Sequence, residues 1–164
     1  MRLLTILLCL IGTAYSVFAQ SSQAIINASK VTTEQPALLD DYFTDYKVVT
    51  IDAAALSDQL RSRNFNYQMS IDLGDNDRWT LDLHPEDILG PDFKINNGGR
   101  LENFNGTVFT YSATDKNHPG KESRITIGEN YIGGYLPSGN TKLYIEPLRR
   151  FVQNAETNQY IVYL

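Results

Sequence analysis

Residues 104–148 constrain the fold more than any other stretch of the chain. They read FNGTVFTYSATDKNHPGKESRITIGENYIGGYLPSGNTKLYIEPL. Three short apolar, β-branched runs, 123–127, 131–136 and 141–145, alternate with turn chemistry, Gly128-Glu129-Asn130 and Pro137-Ser138-Gly139-Asn140. Runs of this size separated by two to four Gly, Asn, Pro or Ser residues predict a β-meander. A helix of that length would not carry glycine and proline at such intervals.

The order and spacing are more particular than a generic hairpin series. An aromatic-x-Gly-x-Val strand uses Phe104, Gly106 and Val108. A Ser-x-apolar-x-apolar strand uses Ser123, Ile125 and Ile127, and an apolar-x-Gly strand uses Ile132 with Gly133 or Gly134. Tyr144, Ile145, Glu146, Pro147 and Leu148 follow, and a closing strand ends in Val162-Tyr163. This pattern resembles the propeptide domain of reprolysin-type (adamalysin-like) zinc metallopeptidases. The resemblance implies a non-catalytic domain that assists folding of a peptidase domain and keeps it latent. It also implies that the motif residues are structural. Animal members carry a cysteine that ligates the active-site zinc, and the chain after residue 19 has none. The expectation is either a truncated precursor or a stand-alone relative acting in trans.

Residues 1–19 carry the features of a secretory signal peptide: Arg2, an apolar run over 3–11 too short to span a bilayer, and Val17-Phe18-Ala19 before an expected cleavage at Gln20. The predicted location is therefore secreted, periplasmic or extracellular. Cys9 is the only cysteine and lies in that run, with Leu7 and Leu8 before it where a lipoprotein signal needs a small residue. A lipid anchor is not expected, and the mature chain offers no disulfide, thiolate zinc site or thiol nucleophile. Such a domain must rely on its core. At about 145 residues it can bury roughly 68–70% of its unfolded surface. The formal net charge is −5, or −6 without Arg2. That balance argues against nucleic acid and anionic membranes as partners.

Residues 20–37 are polar and are predicted to be a mobile lead-in to a single β-rich domain over 38–164. Asn27-Ala28-Ser29 and Asn105-Gly106-Thr107 match the N-glycosylation pattern, which matters only in a eukaryotic secretory route. Residues 38–46 suggest a short helical turn, and 47–51 a β-branched strand. Asp52 can cap a short helix over 53–61, with Leu56 and Leu60 one turn apart, facing one end of the sheet. Phe65, Tyr67, Met69, Ile71 and Leu73 alternate with polar residues, as do Trp79, Leu81 and Leu83, and the loop 74–78 joins them as a hairpin. Asn97-Gly98-Gly99 marks an exposed turn, and 159–164 a last strand. These elements predict a mostly β fold: an antiparallel β-sandwich or partly open β-barrel of about eight strands with one short helix. The expected core is Phe65, Tyr67, Met69, Ile71, Trp79, Leu81, Leu83, Val108, Ile125, Ile127, Ile145 and Val162.

The residues that could carry chemistry have ordinary explanations. Neither His84 nor His118 belongs to an H-E-x-x-H sequence, and each reads as part of a turn or loop beside proline. Asp75, Asn76 and Asp77, with Asp72 and Asp82 nearby, could suggest calcium, but EF-hand spacing is absent and hairpin turns favour the same residues. Ser123 lacks a G-x-S-x-G context. Gly133-Gly134 reads as a bulge or close backbone approach within a strand. Glu146-Pro147 reads as a sheet edge. No catalytic residue, metal or cofactor is expected. Ten tyrosines, seven phenylalanines and one tryptophan leave room for a second class of function, a secreted sandwich module binding protein or carbohydrate, which an exposed Trp79 would favour.

Overall fold

The computed structural model describes residues 22–32, 36–62, 65–75, 77–88, 90, 93–103, 107–117 and 119–164. In chain order the elements are β1 (Ser22–Asn27), β2 (Ser29–Lys30), α1 (Pro36–Asp40), β3 (Tyr46–Thr50), α2 (Ala53–Arg61), β4 (Phe65–Asp72) and β5 (Arg78–Pro85). Then come β6 (Lys94–Asn97), β7 (Arg100–Asn103), β8 (Val108–Asp115), β9 (Glu122–Gly128), β10 (Tyr131–Ser138), β11 (Thr141–Pro147), a 3-10 turn (Leu148–Arg150) and β12 (Gln159–Tyr163). The expected signal peptide, Phe104, Asn105, Gly106, Asn76 and His118 lie outside the described residues.

Ten strands form one sheet in the order β1-β4-β5-β8-β9-β10-β11-β12-β3-β2, and β6-β7 form a separate pair. The meander follows from its turns. Gly128 pairs with Tyr131 across Glu129-Asn130, and Ser138 pairs with Thr141 across Gly139-Asn140, where Gly139 has φ +54°. Two-residue loops of this composition join adjacent antiparallel strands.

The sheet is nearly closed into a barrel, and the segment expected to be a lead-in closes it. β1 and β2 stand at opposite ends of the strand order, yet only Ala28 separates them in the chain. β1 runs parallel to β4, and the other strand pairs among the described residues are antiparallel. The Ala28 N–H still donates to the Asp72 carbonyl; Ser29 and Lys30 already pair with Thr50 and Val49 of β3. Ala24 and Ile26 are buried, which explains why a mostly polar segment is ordered here: two inward side chains suffice when hydrogen-bond partners wait on both sides. The described part of 20–37 is thus strand and the start of α1, not a lead-in.

One core fills the barrel. It includes Met69, Ile71, Leu73, Trp79, Leu81, Leu83, Ile125, Ile127, Ile132, Leu136, Ile145, Tyr160 and Val162, and α2 adds Ala53, Leu56 and Leu60 at one end. The Asp52 carboxylate accepts the Ala55 N–H at 2.9 Å and caps that helix, and Gln59 Oε1 accepts the Ile25 N–H at 2.9 Å, tying α2 to β1. A second, outer cluster joins Leu39, Val48, Leu148, Val152 and Ile161, where α1 and the 3-10 turn cover the back of β3 and β12. Hence Tyr160, Ile161 and Val162 are all buried in succession.

Two expected core residues lie elsewhere, and Phe65 packs against the core only in part. Tyr67 is 50% exposed. It has φ +57°, and the Gln68 N–H turns back to Asn66 Oδ1. β1 advances two residues while β4 advances four, from Ser22–Phe65 to Ala24–Met69, so a bulge breaks the alternation and turns Tyr67 outward. Phe65 at the same bulge is only half-buried. Val108 is 36% exposed because β8 places Phe109, Tyr111 and Ala113 toward the core and Val108 and Ser112 on the opposite face, where Thr110 is covered beside Thr126. A register one residue away reverses every side chain, and the bulkier apolar set faces in.

Candidate functional site: an outward row of aromatic side chains

The meander places one row of residues side by side across its outer face. Register pairs run Arg124–Tyr135, Tyr135–Tyr144, Tyr144–Tyr163 and Tyr163–Tyr46, from β9 through β10, β11 and β12 to β3. The row continues backwards through Ser112 of β8 to His84 of β5. Ring centroids of Tyr135 and Tyr144 are 6.2 Å apart, and those of Tyr144 and Tyr163 are 5.5 Å apart with planes at 20°. Phe43 lies 4.5 Å from Tyr163 and carries the strip on to Tyr42, Tyr46 and Phe151. Cross-strand aromatic neighbours stabilise each other while their outer edges remain available.

Charges flank the strip. Lys142 Nζ stands 3.9 Å from the centre of the Tyr135 ring, a cation–π contact. Arg150 pairs with Glu146 at 2.9 Å, and Arg124 faces Glu86 at 3.6 Å. Burial raises the Tyr163 hydroxyl above the ordinary tyrosine value, and Glu146 adds to it, so Tyr163 is a neutral phenol at physiological pH. The strip offers planar apolar area, hydroxyl groups and cations on a rigid sheet. That combination suits protein recognition, where tyrosine and arginine anchors dominate.

Apart from Leu148 in the 3-10 turn, the described motif residues fall on the five consecutive strands β8 to β12 and divide by face. Ile125 and Ile127 point into the barrel, while Tyr144, Glu146 and Tyr163 lie on the outer face. Gly134 has φ +150°, and a Cβ there would collide with the Arg124 carbonyl, which is the close approach expected of the glycine pair. Gly133 is covered by the Tyr131 ring. The edge reading of Glu146-Pro147 is corrected: β11 is an interior strand, and Pro147 pairs with Tyr160 of β12. The last described pair with β10 is at Ile145, so no donor is needed from Pro147 on that side.

The remaining candidates are engaged in structure. Asp72 accepts the Gly74 N–H at 2.9 Å and pairs with Arg78 at 2.8 Å. Asp77 pairs with Lys47 at 2.6 Å and Asp75 with Lys30 at 3.6 Å, so cations already occupy the turn that suggested calcium. Among the described residues no group of three His, Cys, Asp or Glu side chains is placed to hold a metal ion. Ser123 is buried, its Oγ without a hydrogen-bond partner. A cleft of about 440 Å³ beside the start of α2 is lined by Asn27, Ser29, Thr50, Asp52, Asn130 and Asn158 among others; its one carboxylate is the helix cap. Trp79 is buried, with Nε1–H donating to the Pro137 carbonyl at 2.9 Å. That removes the exposed ring that favoured carbohydrate.

Sequence reasoning missed the strip, although part of it is implied by a turn. A two-residue loop at Gly139-Asn140 sets Tyr135 opposite Tyr144. The addition of Tyr163 and Phe43 depends on pairing with a distant strand and on a loop, which no local signal announces. No protein-family profile, curated protein or solved structure matches the chain.

Proposed function

We propose that this chain is a secreted, non-catalytic protein-binding module of the metallopeptidase-prodomain type, which holds a peptidase latent by covering its cleft. The observation that carries the protein-binding part is the outward strip Tyr135–Tyr144–Tyr163–Phe43 on the rigid meander. The prodomain part rests on the order of the motif residues along 104–163. The barrel leaves little backbone for docking by strand addition, since consecutive residues of β1 and β2 fill the gap between β4 and β3. Occlusion by a side-chain surface is the mode that fits. Trp79, the ring whose exposure would have favoured carbohydrate, is buried, which favours protein over carbohydrate.

The test is an activity assay of the H-E-x-x-H peptidase encoded with or beside this chain, with purified protein added. Wild type inhibits at micromolar concentration, and the Tyr144→Ala/Tyr163→Ala variant loses about tenfold or more, as aromatic anchors at interfaces do. His84→Ala and His118→Ala inhibit like wild type, because the zinc is covered without being ligated. Absence of both inhibition and calorimetric binding rejects the proposal.

A further inference from the structure

The segment that closes the barrel is held more lightly than the wall around it. Ser22–Lys30 pairs with β4 through β1 and with β3 through β2, and β2 supplies only the pairs Ser29–Thr50 and Lys30–Val49. Its pairing with β4 is parallel, the slightly weaker kind per residue, and is broken by the register shift between Ser22 and Ala24. Among its described side chains Ala24 and Ile26 are the buried ones; Ile25 is 48% exposed, and Asn27, Ser29 and Lys30 are exposed too. By contrast β12, on the other side of β3, buries Tyr160, Ile161 and Val162 in succession. β1 and β2 also precede every other strand in the chain, so they can leave the sheet while the order of the rest stays intact. Elements with few buried contacts open at lower free energy than the core beside them.

The gap that such an opening uncovers is already built to receive a strand. On one side the Asp72 carbonyl accepts the Ala28 N–H at 2.9 Å, and on the other the Val48 carbonyl accepts the Val31 N–H at 3.0 Å. Gln59 of α2 adds a side-chain acceptor, its Oε1 2.9 Å from the Ile25 nitrogen. The Asp75 carboxylate lies 3.6 Å from the Lys30 ammonium. Main-chain hydrogen bonds of this kind give affinity for an extended chain, and the spaces for alternate side chains give selectivity. Those spaces hold Ala24 beside Met69 and Ile26 beside Ile71, a small residue and a branched apolar one two positions apart. An ionised side chain in either would be buried without a partner.

We propose that the gap between β4 and β3 is a strand-acceptor site for an extended peptide of this pattern, and that its occupant in trans is the 22–30 segment of a second copy of this chain. Identity of sequence supplies the fit: the same alanine, isoleucine and lysine meet the same Met69, Ile71 and Asp75. Reciprocal exchange of the segment joins two copies and closes on itself. The site is separate from the aromatic strip and does not depend on the function proposed above.

A fluorescent peptide of residues 20–31 is the probe, added to the whole protein with and without Ala24→Asp/Ile26→Asp. These substitutions keep the protein's own segment out of the gap. The variant binds the peptide about tenfold or more tighter than wild type, since no resident segment competes, and a peptide carrying the same two substitutions binds neither. In sedimentation velocity wild type forms a dimer at high concentration, and excess peptide returns it to monomer. Hydrogen exchange on wild type covers a variant that does not fold: the Ile25 and Ala28 amides exchange about tenfold or more faster than the hydrogen-bonded amides of β9. A folded variant that binds the peptide no better than wild type overturns the proposal. So does the lack of a dimer, a dimer that ignores the peptide, or Ile25 and Ala28 amides as protected as those of β9.

Discussion

The Lys47 ammonium lies 2.6 Å from the Asp77 carboxylate and thereby ties β3 to the β4–β5 loop across the seam that β1 and β2 fill. The two partners differ in exposure, 12% for the lysine side chain and 40% for the aspartate. Removing either one should therefore have unequal effects. Asp77→Asn leaves a nearly buried ammonium without its counter-charge and should cost about 1–2 kcal/mol, after allowance for solvent screening. Lys47→Met removes the desolvated charge and leaves a hydrated carboxylate, so its cost should stay below about 1 kcal/mol. Urea denaturation of both variants measures the difference; equal costs would mean that the pair is fully screened.

Glycines in the meander should differ sharply. Gly134→Ala must place a Cβ against the Arg124 backbone at φ +150° and should cost at least about 2 kcal/mol. Gly139→Ala has the same backbone handedness, φ +54°, but open space around it, and should cost about 1 kcal/mol. Thermal melts of the two variants rank them directly, and the reverse order would contradict the packing of β9 on β10.

The register of the barrel wall is open to a paired test. Ile125 is almost completely buried, and Ile125→Ala should cost about 2–5 kcal/mol. Val108 shares its motif but faces outward, and Val108→Ala should cost less than about 0.5–1 kcal/mol. Chemical denaturation that found the two equally costly would place Val108 in the core after all.

Stability should fall at both ends of the pH scale for identifiable reasons. The Gly74 N–H, with help from Arg78 and Lys47, holds the Asp72 carboxyl below the usual aspartate range. The unfolded chain therefore takes up that proton first, so the contribution of Asp72 is present above the ordinary aspartate pKa and lost as pH falls through the folded one. Asp72→Asn should show a shallower acid limb. At the other end, burial, with a smaller contribution from Tyr67, pushes the Tyr111 hydroxyl up to about 12. The unfolded phenol ionises from its ordinary value near 10, so the folded state binds more protons between 10 and about 12 and stability declines there. Tyr111→Phe should flatten that decline in melts recorded across the interval.

Calcium and chelators should leave the melting temperature unchanged. The Asp72, Asp75 and Asp77 carboxylates each have a lysine or arginine partner, and a metal ion would have to displace all of them. A melting temperature that rises with calcium and falls with EDTA would show that the ion pairs give way.

Local chemistry determined a good deal by itself. Short-range rules suffice for the meander: short apolar, β-branched runs over 123–127, 131–136 and 141–145 split by turn residues predict paired strands, and Gly139-Asn140 turns the chain back on itself. The Asp52-capped helix and the Trp79–Leu81–Leu83 strand belong to the same class, because cap, period and composition all lie within a few residues. What required the tertiary structure is whatever depends on a partner far along the chain. Ser22–Lys30 is a strand only because β4 and β3 leave a gap between them, and its own composition argues for a polar tail. Tyr67 leaves the core because β1 slips by two residues against β4, a mismatch invisible in the perfect alternation of 65–73. Val108 faces out because Phe109 and Tyr111 compete for the same interior and are larger. The aromatic strip is of this kind too: each tyrosine is unremarkable in its own strand, and only the pairing of β10, β11 and β12 with a loop before β3 sets four rings side by side on one face.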